Sequence, residues 1–178
     1  ILTNLFFINH FNGNNDLAFF IFFGILIVII FLIYNFPKAT LFLGDSGSYF
    51  LGTFVAISVI KTSIANPEIS PFYFCILLFY LFFEVFFSFF RKLFFARSSP
   101  LLPDNKHLHM SFYKLLLKKN KNKLSSNYKV SVYINLIYLC LITPGIFLMH
   151  NALFCRFYFF FLLIVYLFFY RQLHKKLR

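Results

Sequence analysis
The sequence predicts an all-α, polytopic integral membrane protein with about five transmembrane helices, on three observations. Hydrophobic residues fill 61% of the 178 positions, 32 residues are Phe, and the mean hydropathy is +0.79. A soluble domain of this length could not hide so much apolar surface. Five stretches approach the roughly 20 apolar residues that a bilayer crossing requires. Finally, 15 of the 17 Lys and Arg fall in alternate connections between those stretches, which is the charge asymmetry of a multi-pass protein. The net charge of +12 is therefore clustered, and a simple nucleic-acid binder is excluded.

In chain order, Ile1 to Phe11 reads as the end of a helix and Asn12 to Asp16 as an external loop. The first span runs from about Leu17 to Tyr34 without a charge, and residues 35–46 form a loop. The second span runs from Gly47 to Ala65, with Lys61 near its far end, where the aliphatic stem can snorkel to the headgroups. The third, Phe72 to Phe90, holds Glu84 about seven residues inside its end, on the order of 10 Å deep by helix rise. An intramembrane carboxylate is either functional or paired, and Arg91, two turns on, is the candidate partner. A long basic loop covers residues 91–129. The fourth span, Val130 to Met149, contains Pro144-Gly145, expected to kink or stop it. The fifth runs from Ala152 to Tyr170, followed by a basic tail. Apolar residues all round each stretch fit lipid-facing helices, and the alternation of a β-barrel is absent. Cys75, Cys140 and Cys155 lie in apolar runs without metal-ligand spacing and read as buried thiols. The chain begins at Ile1 with no signal-peptide pattern, and a fragment is expected.

The 35–46 loop, the 91–129 loop and the tail share the basic side, which assigns them to the cytoplasm. Lys61, Arg156, Asp16 and Glu68 fall on the opposite side. Two polar constellations then face one compartment. In Phe42-Leu43-Gly44-Asp45-Ser46-Gly47-Ser48, a carboxylate at a membrane surface suits a cation. The glycines let backbone N–H groups approach an anion, and the following helix N-terminus favours phosphate. Together these point to phosphoryl chemistry on a lipid.

The second constellation is Pro103-Asp104-Asn105-Lys106-His107-Leu108-His109-Met110. Two prolines, Pro100 and Pro103, favour an extended backbone, in which His107 and His109 point to one side. Such a pair can bind metal, donate to phosphate or shuttle a proton; the plain alternative is a solvated loop. A closed zinc site is disfavoured for want of four ligands. Downstream, Ser111 to Lys123 reads either as an amphipathic helix on anionic headgroups or simply as the positive side of the membrane. His10, His150 and His174 read as interfacial, without partners.

The segment from Asn35 to Tyr49 resembles the "FxGDxGS" motif of the polyprenyl-phosphate N-acetylhexosamine-1-phosphate transferases, and Pro103 to Met110 resembles their "PDxxHxHH" loop. Glu84 with Arg91-Lys92 resembles the acid and Arg pair of the preceding span. The resemblance covers nearly the whole chain and implies the C-terminal half of a ten- to eleven-helix fold in the bacterial inner membrane. It implies transfer of a HexNAc-1-phosphate from a UDP-sugar to polyprenyl phosphate, with release of UMP, at the start of cell-envelope polysaccharide synthesis such as that of O-antigen. It implies magnesium, or manganese in its place, with Asp45 as metal ligand and catalytic residue. Gly44, Ser46, Gly47 and Ser48 would shape the loop. His107 and His109 would act in catalysis on the pyrophosphate or sugar, and Asp104, Asn105 and Lys106 would hold the loop or touch the nucleotide. The partners implied are polyprenyl phosphate, UDP-HexNAc, membrane lipids and a second copy of the chain, with no nucleic acid.

Two departures stand out. Met110 occupies the position of the loop's third histidine, and the chain contains no Asp-Asp pair. Asn12 to Ala18 is similar to the family's "DGxDGLA" motif, but a single span separates Asp16 from Asp45, which places them on opposite sides. Residues 1–178 alone are therefore expected to be inactive. The alternative class is a non-catalytic membrane protein or transporter fragment, for which charged residues along a broken helix would be the signature.

Overall fold
The computed structural model describes residues 1–96, 99 and 106–177. All the regular structure among them is helical: α1 Leu2–Phe11, α2 Asn15–Asn35, α3 Gly44–Ala65, α4 Pro71–Phe90 with a π-helical turn Arg91–Ala96, α5 Leu108–Asn120, α6 Lys123–Leu148 and α7 Ala152–Leu177. Helices α2, α3, α4, α6 and α7 are long and apolar enough to cross a membrane, so the expected five-span, all-α architecture is present.

The helix ends follow from local chemistry. Ser70 caps α4, its hydroxyl accepting from the Phe72 N–H at 3.3 Å, and Pro71 opens the helix where a missing N–H costs nothing. Gly44 takes φ +68°, the left-handed region, at the turn into α3. Asn122 caps α6 by accepting from the Ser125 N–H at 3.0 Å, and this start lies seven residues before Val130. The polar turns from Lys123 to Lys129 are thus helical, and the apolar edge falls inside a longer helix. At the other end α7 continues past Tyr170 to Leu177.

Pro144 does not stop α6, which runs on to Leu148. Its ring removes only one N–H donor, and the next residue has a packing role. A Cβ on Gly145 would lie 3.1 Å from Ile76 Cγ2, so glycine lets α6 approach α4 closely. Cys75 and Cys140 are exposed on the outer faces of their helices, and only Cys155 is buried. An apolar run places a thiol in the membrane without deciding whether it faces lipid or protein.

The helices fall into two groups. In the first, α1 packs on both α2 and α3. In the second, α4 is the most buried span and lies against α6 and α7, while α5 crosses onto α6 and α7. The Tyr138 hydroxyl donates to the Leu77 carbonyl, joining α6 to α4.

Helix direction puts the turns on two faces. On one, Asn12, Asn14, Asn66 and Glu68 are linked by side-chain hydrogen bonds, and the Ser70 N–H donates to the Met149 carbonyl at 2.8 Å. On the other lie residues 36–43, α5, the start of α6 and the end of α7. Phe36 meets the Tyr128 ring edge-on at 6.4 Å between centroids, tying the α2–α3 loop to the first turns of α6.

Candidate active site at the basic end of the bundle
Asp45 stands in the first turn of α3, exposed. Its carbonyl accepts from the Ser48 hydroxyl at 2.9 Å, while its carboxylate makes no hydrogen bond among the described residues. Gly47 packs under Leu43: a Cβ there would come within 2.8 Å of the Leu43 side chain. The motif is therefore a tight N-terminal turn that displays a carboxylate beside free helix N–H groups. That arrangement can attract a cation and the phosphate it neutralises.

The histidine loop is built differently. His107 is the N-cap of α5 and His109 lies in its first turn, so the segment is not extended through both residues. The rings nevertheless stack, with centroids 5.6 Å apart and planes 13° from parallel. Lys106 is exposed beside them. Asp104 and Asn105 lie outside the described residues.

Glu84 organises this region. Only 7% exposed, its carboxylate lies 3.1 Å from His107 Nδ1 and accepts the Leu108 N–H at 2.6 Å through Oε1, and it accepts the Tyr166 hydroxyl at 2.6 Å through Oε2. An ionised carboxylate is an acceptor only, so His107 donates through Nδ1 and leaves Nε2 for another group. The same carboxylate caps α5, sitting at the positive end of its dipole. Tyr166 is held in turn by edge-on rings, Phe83 at 4.8 Å and Phe87 at 5.6 Å. A salt bridge to Arg91 was one of two readings of Glu84, beside a substrate role; the partners found are a histidine, a backbone amide and a tyrosine from the last span. Ser88 and Lys92 follow Glu84 along α4 and its π-helical turn, both buried. His174, expected to lack a partner, lies 3.2 Å from the Tyr170 hydroxyl through Nε2 and stacks on that ring.

His109 faces a cleft of about 630 Å³ between α4, α5 and α6. One wall is a line of polar residues on α6, Lys123, Asn127, Ser131 and Asn135, each four positions from the next, with Tyr80 and Tyr113 opposite. From Lys123 to Asn135 the line descends ~18 Å by helix rise. It escaped the motif reading, although its spacing of four was legible. Burial of the His109 ring by the surrounding protein lowers its pKa below 6.5; the Glu84 charge opposes that shift and His107 adds to it.

Asp45 and the histidines thus share one end of the bundle, but they do not converge. No group of three or more His, Cys, Asp or Glu able to hold a metal occurs among the described residues.

Five apolar spans with this polar end define a polytopic membrane protein. Residues 1–63, which cover α1, α2 and nearly all of α3, match the model of glycosyl transferase family 4. The chain is also 38% identical over 85 residues to the undecaprenyl-phosphate alpha-N-acetylglucosaminyl 1-phosphate transferase of Thermotoga maritima, a match covering 48% of this chain and 28% of that relative. No solved structure matches the chain.

Proposed function
We propose that this chain is part of a polyprenyl-phosphate sugar-1-phosphate transferase, moving HexNAc-1-phosphate from a UDP-sugar to a polyprenyl phosphate at the cytoplasmic face of a bacterial inner membrane. The observation that carries the reading is the placement of Asp45 and of His107 with His109 at the same, basic end of the bundle. The family match over residues 1–63 and the name of the Thermotoga relative add support.

In the reaction an oxygen of the lipid phosphate attacks the sugar-bearing phosphorus of the nucleotide sugar. The bond from that phosphorus to the bridging oxygen breaks, UMP leaves, and the lipid carries a diphospho-sugar. Such transfer depends on positioning and charge neutralisation. His107, held by Glu84 through Nδ1, offers Nε2 to a phosphate oxygen. His109, Asn127 and Ser131 offer donors and acceptors along the cleft to sugar or base, and Lys123 offers charge. Gly44 to Ser48 supply helix N–H groups.

The donor set fits magnesium in part: Asp45 is one free carboxylate, and Mg²⁺ takes one or two carboxylates with phosphate oxygens and water. Asp45 would hold the ion, or manganese in its place. Bound there, the ion would neutralise phosphate charge. Residues 1–178 contain no Asp-Asp pair, so turnover is expected from a full-length protein that includes these residues and not from residues 1–178 alone.

The test has two arms. Full-length protein with radiolabelled UDP-HexNAc, polyprenyl phosphate and magnesium should yield labelled lipid and UMP; absence of both refutes the transfer. In intact cells, cysteines near Lys38, Lys119 and Lys175 should resist an impermeant reagent while one near Glu68 reacts. Reaction of the Lys119 region from outside refutes the orientation.

A further inference from the structure
Between α4, α6 and α7 lies a second, apolar cavity of about 380 Å³. Along α7 it is lined by Leu162, Val165, Tyr166, Phe169, Gln172 and Lys176. These follow one helical face for fourteen positions, ~21 Å by rise. At the basic end α5 covers it with Leu108 and Phe112, and the polar side chains there are Gln172 and Lys176. Ile137, Phe168 and Phe169, also on its wall, are exposed on the outside of the bundle, so the cavity communicates with the surrounding hydrocarbon. Water has too few polar partners to fill such a space.

The shape is long, narrow and apolar, with a cation at one end only. We propose that it holds an anionic phospholipid of the bilayer, one acyl chain along α7 and the phosphate at Lys176. The volume is on the order of one acyl chain and far below that of a long polyprenol. The charge is complementary, since Lys176 belongs to the basic tail and the lysine-bearing α5 packs on α7, so an anionic headgroup is attracted there. The lipid would act as a wedge, filling the gap where α6 and α7 diverge beneath α5. The proposal does not depend on the transfer reaction.

The test uses the intact protein in phosphatidylcholine vesicles, probed with trace phosphatidylglycerol or phosphatidylcholine carrying a photoactivatable group at the acyl terminus. Phosphatidylglycerol should label Ile134, Leu141 and Val165 in preference to the lipid-exposed Phe19 and Phe23 of α2. Lys176→Gln should lower that labelling about fivefold, from the loss of one surface cation, and leave the phosphatidylcholine signal unchanged. Val165→Trp should remove labelling of the cavity by filling it. Should that variant misfold, competition of the wild-type signal by unlabelled phosphatidylglycerol decides instead. Equal labelling by the two phospholipids, labelling no stronger than on α2, or displacement by polyprenyl phosphate in preference to phosphatidylglycerol would each overturn the proposal.

Discussion

Helices α1 to α3 and helices α4 to α7 handle polar groups in opposite ways. In the first group the interior polar residues are neutral and lie away from the basic end. Asn9, Thr62 and Asn66 are fully buried and bond to one another: Asn9 Nδ2 donates to Thr62 Oγ1 at 2.8 Å, and Asn66 Nδ2 donates to Asn9 Oδ1 at 3.2 Å. Asp45, the acidic residue of this group at the basic end, is left exposed on a short turn. In the second group a charge is buried, and two distant segments converge on it: α7 through Tyr166, and the start of α5 through His107 and the Leu108 N–H. The family match lies in the first group, and the convergent polar geometry lies in the second. One group displays chemistry on a local motif that little else supports. The other builds a position out of tertiary structure. Substitutions should therefore separate function from stability in the first group and move both together in the second.

The largest effect is expected at Asp45. Asp45→Asn in the full-length protein preserves size and removes one negative charge from an exposed site. Turnover at saturating magnesium should fall about a hundredfold or more, roughly 2.7 kcal/mol of barrier, with thermal unfolding in detergent unchanged. Turnover within threefold of the parent would reduce Asp45 to a loop residue.

Glu84→Gln tests the other side of the comparison. The amide keeps one oxygen but cannot accept from His107, Leu108 and Tyr166 as the carboxylate does. Disturbing a buried, charge-assisted cluster costs about 1–3 kcal/mol. Unfolding should come earlier, and proteolysis near the start of α5 should rise, because the helix loses its cap. Turnover should fall too, through a displaced His107. A variant with normal stability and protection would show that the three hydrogen bonds do not position the loop.

Five spans were legible because lipid-facing helices write themselves as uninterrupted apolar runs, and the basic connections fixed their alternation. The start of α6 was not, because Lys123 to Lys129 is polar and only the Asn122 cap marks the helix there. Asp45, His107 and His109 were singled out from local motifs. Their separation was not foreseen, since motifs on the same face need not touch. Tyr166 could not be picked out among the aromatic residues of the last span: its distinction is a hydroxyl 2.6 Å from a carboxylate 82 positions earlier. The polar line on α6 was present as a spacing of four, masked by a reading that looked for charge and histidine.

A smaller effect belongs to the neutral network. Asn66→Ala removes the donor to Asn9 Oδ1 and the acceptor for Asn12 Nδ2, the latter a 2.6 Å bond. Unfolding free energy should fall by roughly 1–2 kcal/mol, the cost of leaving buried amide atoms unpaired. Turnover per folded molecule should stay as it was, because this face lies across the bundle from the candidate site. Lost turnover with unchanged unfolding would break the separation between a structural and a chemical end.

The smallest effect is a pH dependence at His109. Its folded-state pKa lies below 6.5 because burial opposes the charged ring. Between that lowered value and 6.5 the unfolded chain binds more protons than the folded one, so stability rises with pH there. The contribution is complete above pH 6.5 and is lost as pH falls toward the folded value. His109→Gln has no proton to take up, so its unfolding temperature should depend less on pH below 6.5 and agree with the parent's slope above it. The change is expected to be slight, since solvent reaches the ring and screens it. Unfolding measured at several pH values on either side of 6.5 decides the matter. A steeper acid dependence in the variant than in the parent would mean that the Glu84 charge, not burial, dominates at His109, and that its ring belongs with His107 in the carboxylate's cluster.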